Sequence, residues 1–196
     1  MALPPSRETP VWLITGCSTG FGRRLAKILV ERGYRVAATA RDRDKIADIA
    51  AGHDETAPAL TLDVEKPAEI EAAVADARRA FGRIDVLVNN AGYGYLAAIE
   101  EGDDSDIRAM FETNFFGLAA MTRAVLPVMR AQKSGAIVNI SSMGGFIGIR
   151  AWAITPRPSS PSRASPNLSP RRSRNSGSGS SSSSPARSAP TGPAAR

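Results

Sequence analysis

The chain has 196 residues, enough for one domain with an appendage, and its formal net charge is +6 at pH 7. Residues 151–196 carry seven arginines and no lysine, aspartate or glutamate, which leaves a charge of −1 on residues 1–150. The body of the chain therefore lacks the bulk basicity that would indicate a nucleic-acid-binding protein.

The cysteine content and the hydropathy pattern indicate the cellular compartment of the protein. Cys17 is the only cysteine, so no intrachain disulfide is possible and a reducing compartment fits. Residues 1–10 lack the apolar stretch of a signal peptide, and no run approaches the roughly 18 apolar residues of a membrane span. We expect a soluble, cytoplasmic protein.

Short apolar runs alternate with amphipathic stretches along the body, which predicts strands alternating with helices. Because the strands are nearly all apolar and are joined by helices, the expected fold class is α/β: a Rossmann-like doubly wound parallel sheet, incomplete at about five strands. In chain order the predicted elements are strand 11–15, helix 21–33, strand 34–40, helix 42–51, strand 59–64, helix 66–82, strand 84–90, helix 106–132 with a bend near Pro127, and strand 135–141.

The sequence TGCSTGFG, residues 15–22, lies where the first predicted strand passes into the first predicted helix. Gly16 would allow a tight turn, Gly20 would let backbone N–H groups approach a pyrophosphate, and Gly22 would let the helix pack closely on the sheet. Phosphates would then lie at the positive end of the helix dipole. A glycine-rich turn can also be purely structural, so this motif alone leaves both interpretations open.

Four motifs in order resemble those of the short-chain dehydrogenase/reductase family: TGCSTGFG at 15–22, NNAG at 89–92, TNFFG at 113–117 and IVNISS at 137–142. The resemblance covers about residues 10–150. It implies a cofactor-binding domain at residues 1–150 and an oxidoreductase that transfers hydride between a nicotinamide dinucleotide and a small carbonyl or alcohol substrate. Members of the family form homo-oligomers, which is in doubt for this chain.

The resemblance also assigns residues to the dinucleotide. It places Asp63 and Val64 beside the adenine ring, and Asn90, Ala91 and Gly92 on the adenine ribose side. The complete set of expected cofactor-binding residues is Thr15, Gly16, Ser18, Thr19, Gly20, Phe21, Gly22, Arg41, Asp63, Val64, Asn90, Ala91 and Gly92.

Cofactor choice is predicted from the end of the second strand. Ala40 stands where NAD-binding folds usually place an acidic residue, and Arg41 follows it. A guanidinium there could pair with the 2′-phosphate of NADP, so NADP is expected in preference to NAD. The alternative is that Arg41 is a solvated residue at the start of a helix.

Only part of the family's catalytic set is present. The resemblance assigns Asn114 and Ser142 as catalytic residues, and prefers Ser142 to Ser141. A Tyr-x-x-x-Lys motif should follow about thirteen residues after the serine, but the chain has Thr155 and Ser159 there. In the family that tyrosine is the proton donor or acceptor, and the lysine lowers its pKa. We therefore expect an impaired or inactive enzyme.

Residues 151–196 contain fourteen serines and eight prolines, a composition that predicts a disordered tail. Shifted back by one base near codon 154, permitted codons for positions 154–159 read Tyr-Tyr-Ala-Ala-Ser-Lys, which restores the missing motif. This favours a frameshift. The alternative to a frameshift is a selected disordered tail. The alternatives to an oxidoreductase function are a non-functional frameshifted product and RNA binding through the basic tail, although no aromatic residue follows Trp152 to stack on bases.

Metal binding is not expected. His53 is the only histidine and has no cysteine, histidine or carboxylate at ligand spacing, so a solvated side chain is the simplest interpretation.

Overall fold

The computed structural model describes residues 9–53, 55–98 and 100–142. The tail predicted at 151–196, the domain boundary at 150 and positions 155 and 159 lie outside the described residues. Those predictions are not tested by the fold.

Strands and helices alternate as predicted. In chain order they are β1 (Val11–Ile14), α1 (Gly20–Glu31), β2 (Arg35–Ala40), a 3₁₀ turn (Arg43–Ile46), α2 (Ala47–Ala50), β3 (Ala59–Thr61), α3 (Pro67–Phe81), β4 (Val86–Asn89), α4 (Asp104–Phe111), a π-helical turn (Glu112–Gly117), α5 (Leu118–Gln132) and β5 (Ala136–Asn139).

All pairings in the sheet are parallel, and the strand order is β3-β2-β1-β4-β5. The expected Rossmann-like α/β fold with five strands is therefore confirmed for the described residues. The chain runs outward from β1 to β3 and then crosses to β4 on the other side of β1. Loops leaving β1 and β4 diverge at this switch point, which is where open α/β sheets bind ligands.

Alternate residues of the central strands enter two separate cores. Leu13 of β1 and Leu87 of β4 pack on the face covered by α3 and α5. Ile14 and Val88, one position later in each strand, pack on the face covered by α1. This two-sided burial explains why the strands are continuously apolar in sequence. It also makes the sheet a rigid platform for the loops at its carboxyl edge.

The helix predicted over 106–132 is confirmed as one continuous helical segment, with two differences in detail. Helix α4 begins at Asp104, because the Asp103 carboxylate caps it by accepting from the N–H groups of Ser105 and Asp106 at 2.8 and 3.4 Å. A π-helical turn then interrupts the helix at Glu112–Gly117. Helix α5 continues through Pro127 to Gln132, and the bend near Pro127 stays a prediction.

Two smaller elements also differ from the predictions. The helix expected over 42–51 is a 3₁₀ turn followed by a single α-helical turn, and the strand expected over 59–64 ends at Thr61. Within the described part of the chain, no helix is long and apolar enough to cross a membrane.

Candidate functional site

The glycine-rich turn lies between β1 and α1 and touches the loop that leaves β4. Gly16 has a φ of +72°, and a Cβ placed there would lie 2.8 Å from the Ala91 Cα. A Cβ on Gly22 would lie 2.3 Å from the Asn90 side-chain nitrogen and 2.8 Å from the Gly16 carbonyl oxygen. Neither site can hold a side chain without displacing its neighbours, because real Cβ atoms do not approach so closely.

Thr15 and Asn90 bind the two loops together. The Thr15 hydroxyl oxygen accepts from the N–H groups of Asn90 and Ala91 at 3.0 and 2.9 Å. The Asn90 amide nitrogen donates to the carbonyl oxygens of Thr15 and Gly16 at 2.9 and 3.0 Å. These four hydrogen bonds fix the turn to the end of β4, so Thr15 and Asn90 set its shape.

Gly20 faces open space at the start of α1. Its φ is +64°, and no heavy atom lies within 4 Å of a Cβ placed on it. The N-cap residue Thr19 makes no side-chain cap hydrogen bond, and the first turn of α1 contains no acidic residue. The N–H groups of that turn therefore make the start of α1 a positive, uncrowded helix end. Such an end suits an anionic phosphate. Ser18 is half-buried beside it, while Thr19 and Phe21 are exposed.

Cys17 points away from this opening. Its side chain is fully buried, the thiol lies 3.4 Å from the Ile14 carbonyl oxygen, and its backbone N–H donates to Thr39 at 2.7 Å. Burial raises the pKa of the thiol to about 12. The Cys17 backbone therefore anchors the turn to β2, and its side chain is a buried, protonated thiol.

Arg41 follows β2, which pairs in parallel with β1, so it lies at the sheet edge from which the glycine-rich turn leaves. Ala40 is buried, and Arg41 is exposed. Asp42 is engaged as a cap, accepting from the Asp44 N–H at 3.1 Å. The carboxylate nearest Arg41 in sequence is thus committed to the local backbone.

Asp63 and Val64 occupy different environments. The Asp63 carboxylate accepts from the Glu65 N–H at 3.1 Å and lies 3.8 Å from the Lys66 ammonium group. Val64 is buried, and a Cβ on Gly117 would lie 2.7 Å from its side chain. Val64 therefore packs against the π-helical turn, and its assignment beside adenine stays a prediction.

Asn114 lies within the π-helical turn and braces the loop after β4. Its amide nitrogen donates to the Tyr93 carbonyl oxygen at 2.7 Å, and its Oδ1 accepts from the Tyr93 N–H at 3.0 Å. A Cβ on Gly92 would lie 2.9 Å from the same Oδ1. The turn thus directs Asn114 toward the end of β4, where Gly92 leaves room for it.

Ser142 is exposed and follows β5 by three residues. The loop carrying it leaves the same edge of the sheet as the loops after β1 and β4, because β5 pairs in parallel with β4. A bond of 2.9 Å from the Asn89 amide nitrogen to the Asn139 side-chain oxygen joins the two strand ends. The structure therefore brings Ser142, Asn114 and the glycine-rich turn to one edge.

Sequence reasoning missed the bracing contacts. The Tyr95 hydroxyl accepts from the Asp103 N–H at 2.9 Å, a contact that no sequence pattern indicated. The four hydrogen bonds by which Thr15 and Asn90 join the two loops were also missed, because residues that bond loops together have no spacing signature. Among the described residues, no group of three or more His, Cys, Asp or Glu side chains could hold a metal ion, and His53 is exposed.

A parallel α/β sheet with a glycine-lined turn at its switch point defines the class of nucleotide-binding folds. Comparison with known proteins gives the family. The family described as short chain dehydrogenase matches residues 10–154. The chain belongs to the short-chain dehydrogenase family.

Curated relatives include an oxidoreductase, BOA17, from Botryotinia fuckeliana, which is 41% identical over 142 residues that make up 71% of this chain and 52% of the relative. A 3-ketodihydrosphingosine reductase from Bacteroides thetaiotaomicron is 40% identical over 143 residues, 72% of this chain and 50% of the relative. The chain thus spans about half the length of these curated relatives.

Solved structures agree with the fold. A short-chain dehydrogenase from Streptomyces avermitilis has a TM-score of 0.69 at 43% identity, covering 74% of this chain and 53% of that one. An actinorhodin polyketide ketoreductase solved with NADPH has a TM-score of 0.70 at 35% identity, covering 78% of this chain and 59% of that one.

Proposed function

We propose that residues 10–142 form the NADP(H)-binding part of an oxidoreductase that interconverts carbonyl compounds and alcohols. The observation that carries this proposal is the turn at 15–22, which is braced by Asn90 and open at Gly20. Its uncapped helix start would hold the pyrophosphate. A bound nicotinamide dinucleotide would supply the hydride.

The preference for NADP follows from charge at the end of β2. Ala40 is buried and uncharged, so no carboxylate at that position repels a 2′-phosphate. Arg41 is exposed beside the turn, and the carboxylate of Asp42 is used as a cap. A guanidinium can pair with a phosphate through two hydrogen bonds. The actinorhodin ketoreductase, a structural relative, was solved with NADPH.

The catalytic proposal is narrower. Ser142 would hydrogen-bond the substrate oxygen and so orient the reacting carbon, while Asn114 would support the loop beside it. Thr155 and Ser159 occupy the positions expected for the family's tyrosine and lysine. Without a general acid, the turnover of the chain would be about 10²–10⁴-fold lower than that of an enzyme with the full set of catalytic residues.

A frameshift accounts for the missing pair. The family match ends at residue 154, the same position at which the shifted-codon argument places the lost base. The serine and arginine excess after that point then needs no functional cause. Sequencing the gene tests this directly: if the alternative frame of codons 154–159 lacks a tyrosine and a lysine four residues apart, the frameshift proposal is wrong.

Cofactor titration tests the binding proposal. NADPH should bind the 196-residue chain more tightly than NADH, and Arg41→Ala should reduce that preference by about 10- to 150-fold, the equivalent of about 1.5–3 kcal/mol for a charged hydrogen bond. Arg32→Ala, which removes an exposed arginine at the far end of α1, is the matched control and should leave the preference unchanged. Equal dissociation constants for the two cofactors in the unmodified chain would overturn the NADP assignment.

The RNA-binding alternative depends on the tail and has its own test. A salt-sensitive complex between the 196-residue chain and single-stranded RNA, abolished by removing residues 151–196, would favour it over the enzyme proposal. We expect no such complex, and we expect the protein to be cytoplasmic.

A further inference from the structure

A cluster of three charged side chains joins helix α1 to the segment that follows β2. Arg23 donates from one guanidinium nitrogen to both Asp48 carboxylate oxygens, at 2.6 and 2.7 Å. Its other terminal nitrogen donates to the Lys45 carbonyl oxygen at 2.6 Å. Lys27, one helical turn later, places its ammonium group 2.7 Å from the same carboxylate. We call Arg23, Lys27 and Asp48 the Asp48 clamp.

The clamped segment has little regular structure to hold it. It comprises the 3₁₀ turn Arg43–Ile46 and the single turn Ala47–Ala50. Ile46 and Ile49 are buried in the core that the sheet shares with α1. On its outer side, the clamp adds charged contacts to α1. Arg41 and Asp42 connect β2 directly to this segment.

The clamp also stabilises the ionised form of Asp48. Hydrogen bonds from Lys27 and Arg23 hold the pKa of Asp48 below its ordinary value. Its carboxylate engages both cations. Arg23 lies in the first turn of α1, yet its guanidinium is directed to Asp48 and Lys45.

We propose that the Asp48 clamp is a positioning device for cofactor specificity: it holds the segment after β2 so that Arg41 meets the 2′-phosphate of NADP. This inference rests on the proposed NADP(H) function. Arg23, Lys27 and Asp48 act through Arg41 and are positioning residues. Breaking the clamp should therefore weaken NADPH binding and leave NADH binding nearly unchanged.

Asp44 supplies a matched control. It lies in the same segment and carries the same charge, and Asp44→Asn therefore removes one negative charge without touching the clamp. Asp48→Asn should lower the ratio of NADPH to NADH affinity by about two- to fivefold, the range that an exposed ion pair contributes. Asp44→Asn should leave this ratio unchanged or raise it slightly, because it only makes the region more positive.

A second measurement needs no cofactor. Trypsin cleaves after arginine and lysine, so the rate of cleavage after Arg41, Arg43 and Lys45 reports how firmly the segment is held. Cleavage there should be faster in Asp48→Asn than in Asp44→Asn, while both variants keep the thermal stability of the parent chain. Equal cleavage rates would contradict the positioning role.

The outcomes separate the two proposals. If the unmodified chain shows no preference for NADPH, the proposed cofactor is wrong and this inference falls with it. If the unmodified chain prefers NADPH but Asp48→Asn keeps that preference, the clamp alone is refuted. If both variants change the ratio equally, net charge rather than positioning sets specificity, which also refutes the clamp.

Discussion

At the scale of single residues, the site depends on backbone proximity more than on reactive side chains. Thr15 and Asn90 make four hydrogen bonds between the loops after β1 and β4. Gly16 and Gly22 are required because those loops lie too close for a Cβ. Gly20 differs, since nothing lies within 4 Å of a Cβ placed there. It leaves space that a ligand can use.

Gly20→Ala should weaken dinucleotide binding with only a modest loss of stability. A left-handed backbone costs a non-glycine residue about 1–2 kcal/mol, and an added methyl would also intrude on the space where phosphate is expected. Gly82→Ala is the matched control, because Gly82 has a φ of +75° and open space but lies at the end of α3. Urea unfolding should give similar losses for both, and NADPH titration should separate them. Equal loss of NADPH affinity would contradict a phosphate role for Gly20.

Thr15→Val should destabilise the fold by about 1–3 kcal/mol. Valine keeps the shape but removes the oxygen that accepts from the Asn90 and Ala91 N–H groups, which leaves two half-buried donors unpaired. Thr122→Val is the comparison, since that hydroxyl accepts one bond, from the Asn89 side chain. The free energy of unfolding measures both. A Thr15→Val variant as stable as the parent would show that the hydrogen bonds to the Thr15 hydroxyl contribute little to the stability of the fold.

The glycine-rich turn and the strand end before Arg41 could be predicted from sequence because motif spacing encodes turns and strand ends. The contacts that hold them could not. The role of Asn90 toward the cofactor stays a prediction, and its bonds to the backbone of the turn were not foreseen. No sequence pattern links Asp48 to Arg23. Such pairings depend on how two helices are placed on the sheet, and a single sequence does not determine that placement.

At the scale of elements, the parallel sheet was predictable because its strands are buried on both faces. The π-helical turn was not predictable, because the apolar spacing of residues 106–132 fits one continuous helix. Its position is explained by packing: Gly117 approaches Val64, and Asn114 reaches the Tyr93 backbone. The extra residue in this turn directs Asn114 toward the site.

Strand β5 is an edge of the described sheet and is unusually exposed. Val138 and Ile140 are 40% and 41% exposed. Apolar strand edges promote association between chains. Val138→Lys should therefore raise the concentration up to which the protein remains monomeric. Ile28→Lys, which changes a helical isoleucine that is 45% exposed, is the matched control and should have a smaller effect. Light scattering measures both, and equal effects would indicate general apolar exposure rather than edge pairing.

At the scale of the whole molecule, the question is whether the described residues fold as one cooperative unit in this chain. Cys17 is a built-in probe, because its thiol is fully buried and burial raises its pKa to about 12 from an ordinary 9.0. In the unfolded chain the thiol regains its ordinary pKa. The folded state therefore binds the thiol proton more tightly, and stability should fall as pH rises from about 9 to about 12.

Replacing Cys17 by alanine should make this alkaline loss of stability shallower. The measurement is the free energy of unfolding in urea across that pH range, for the parent and for Cys17→Ala. The thiol of the parent should also resist aromatic disulfide reagents in buffer and react at once in concentrated urea. Rapid modification in buffer, or identical pH slopes for the two chains, would mean that Cys17 is accessible and the core is not formed as described.

We propose that this chain carries the cofactor-binding part of a short-chain dehydrogenase and lacks its catalytic acid. The most direct measurement is NADPH oxidation with a panel of ketones and aldehydes, comparing the 196-residue chain with the product in which one base is restored near codon 154. The restored product should turn over at least about 10²-fold faster, and replacing its restored tyrosine at position 155 by phenylalanine should remove that gain. Equal turnover by the 196-residue chain and the restored product would contradict the proposed loss of the catalytic acid.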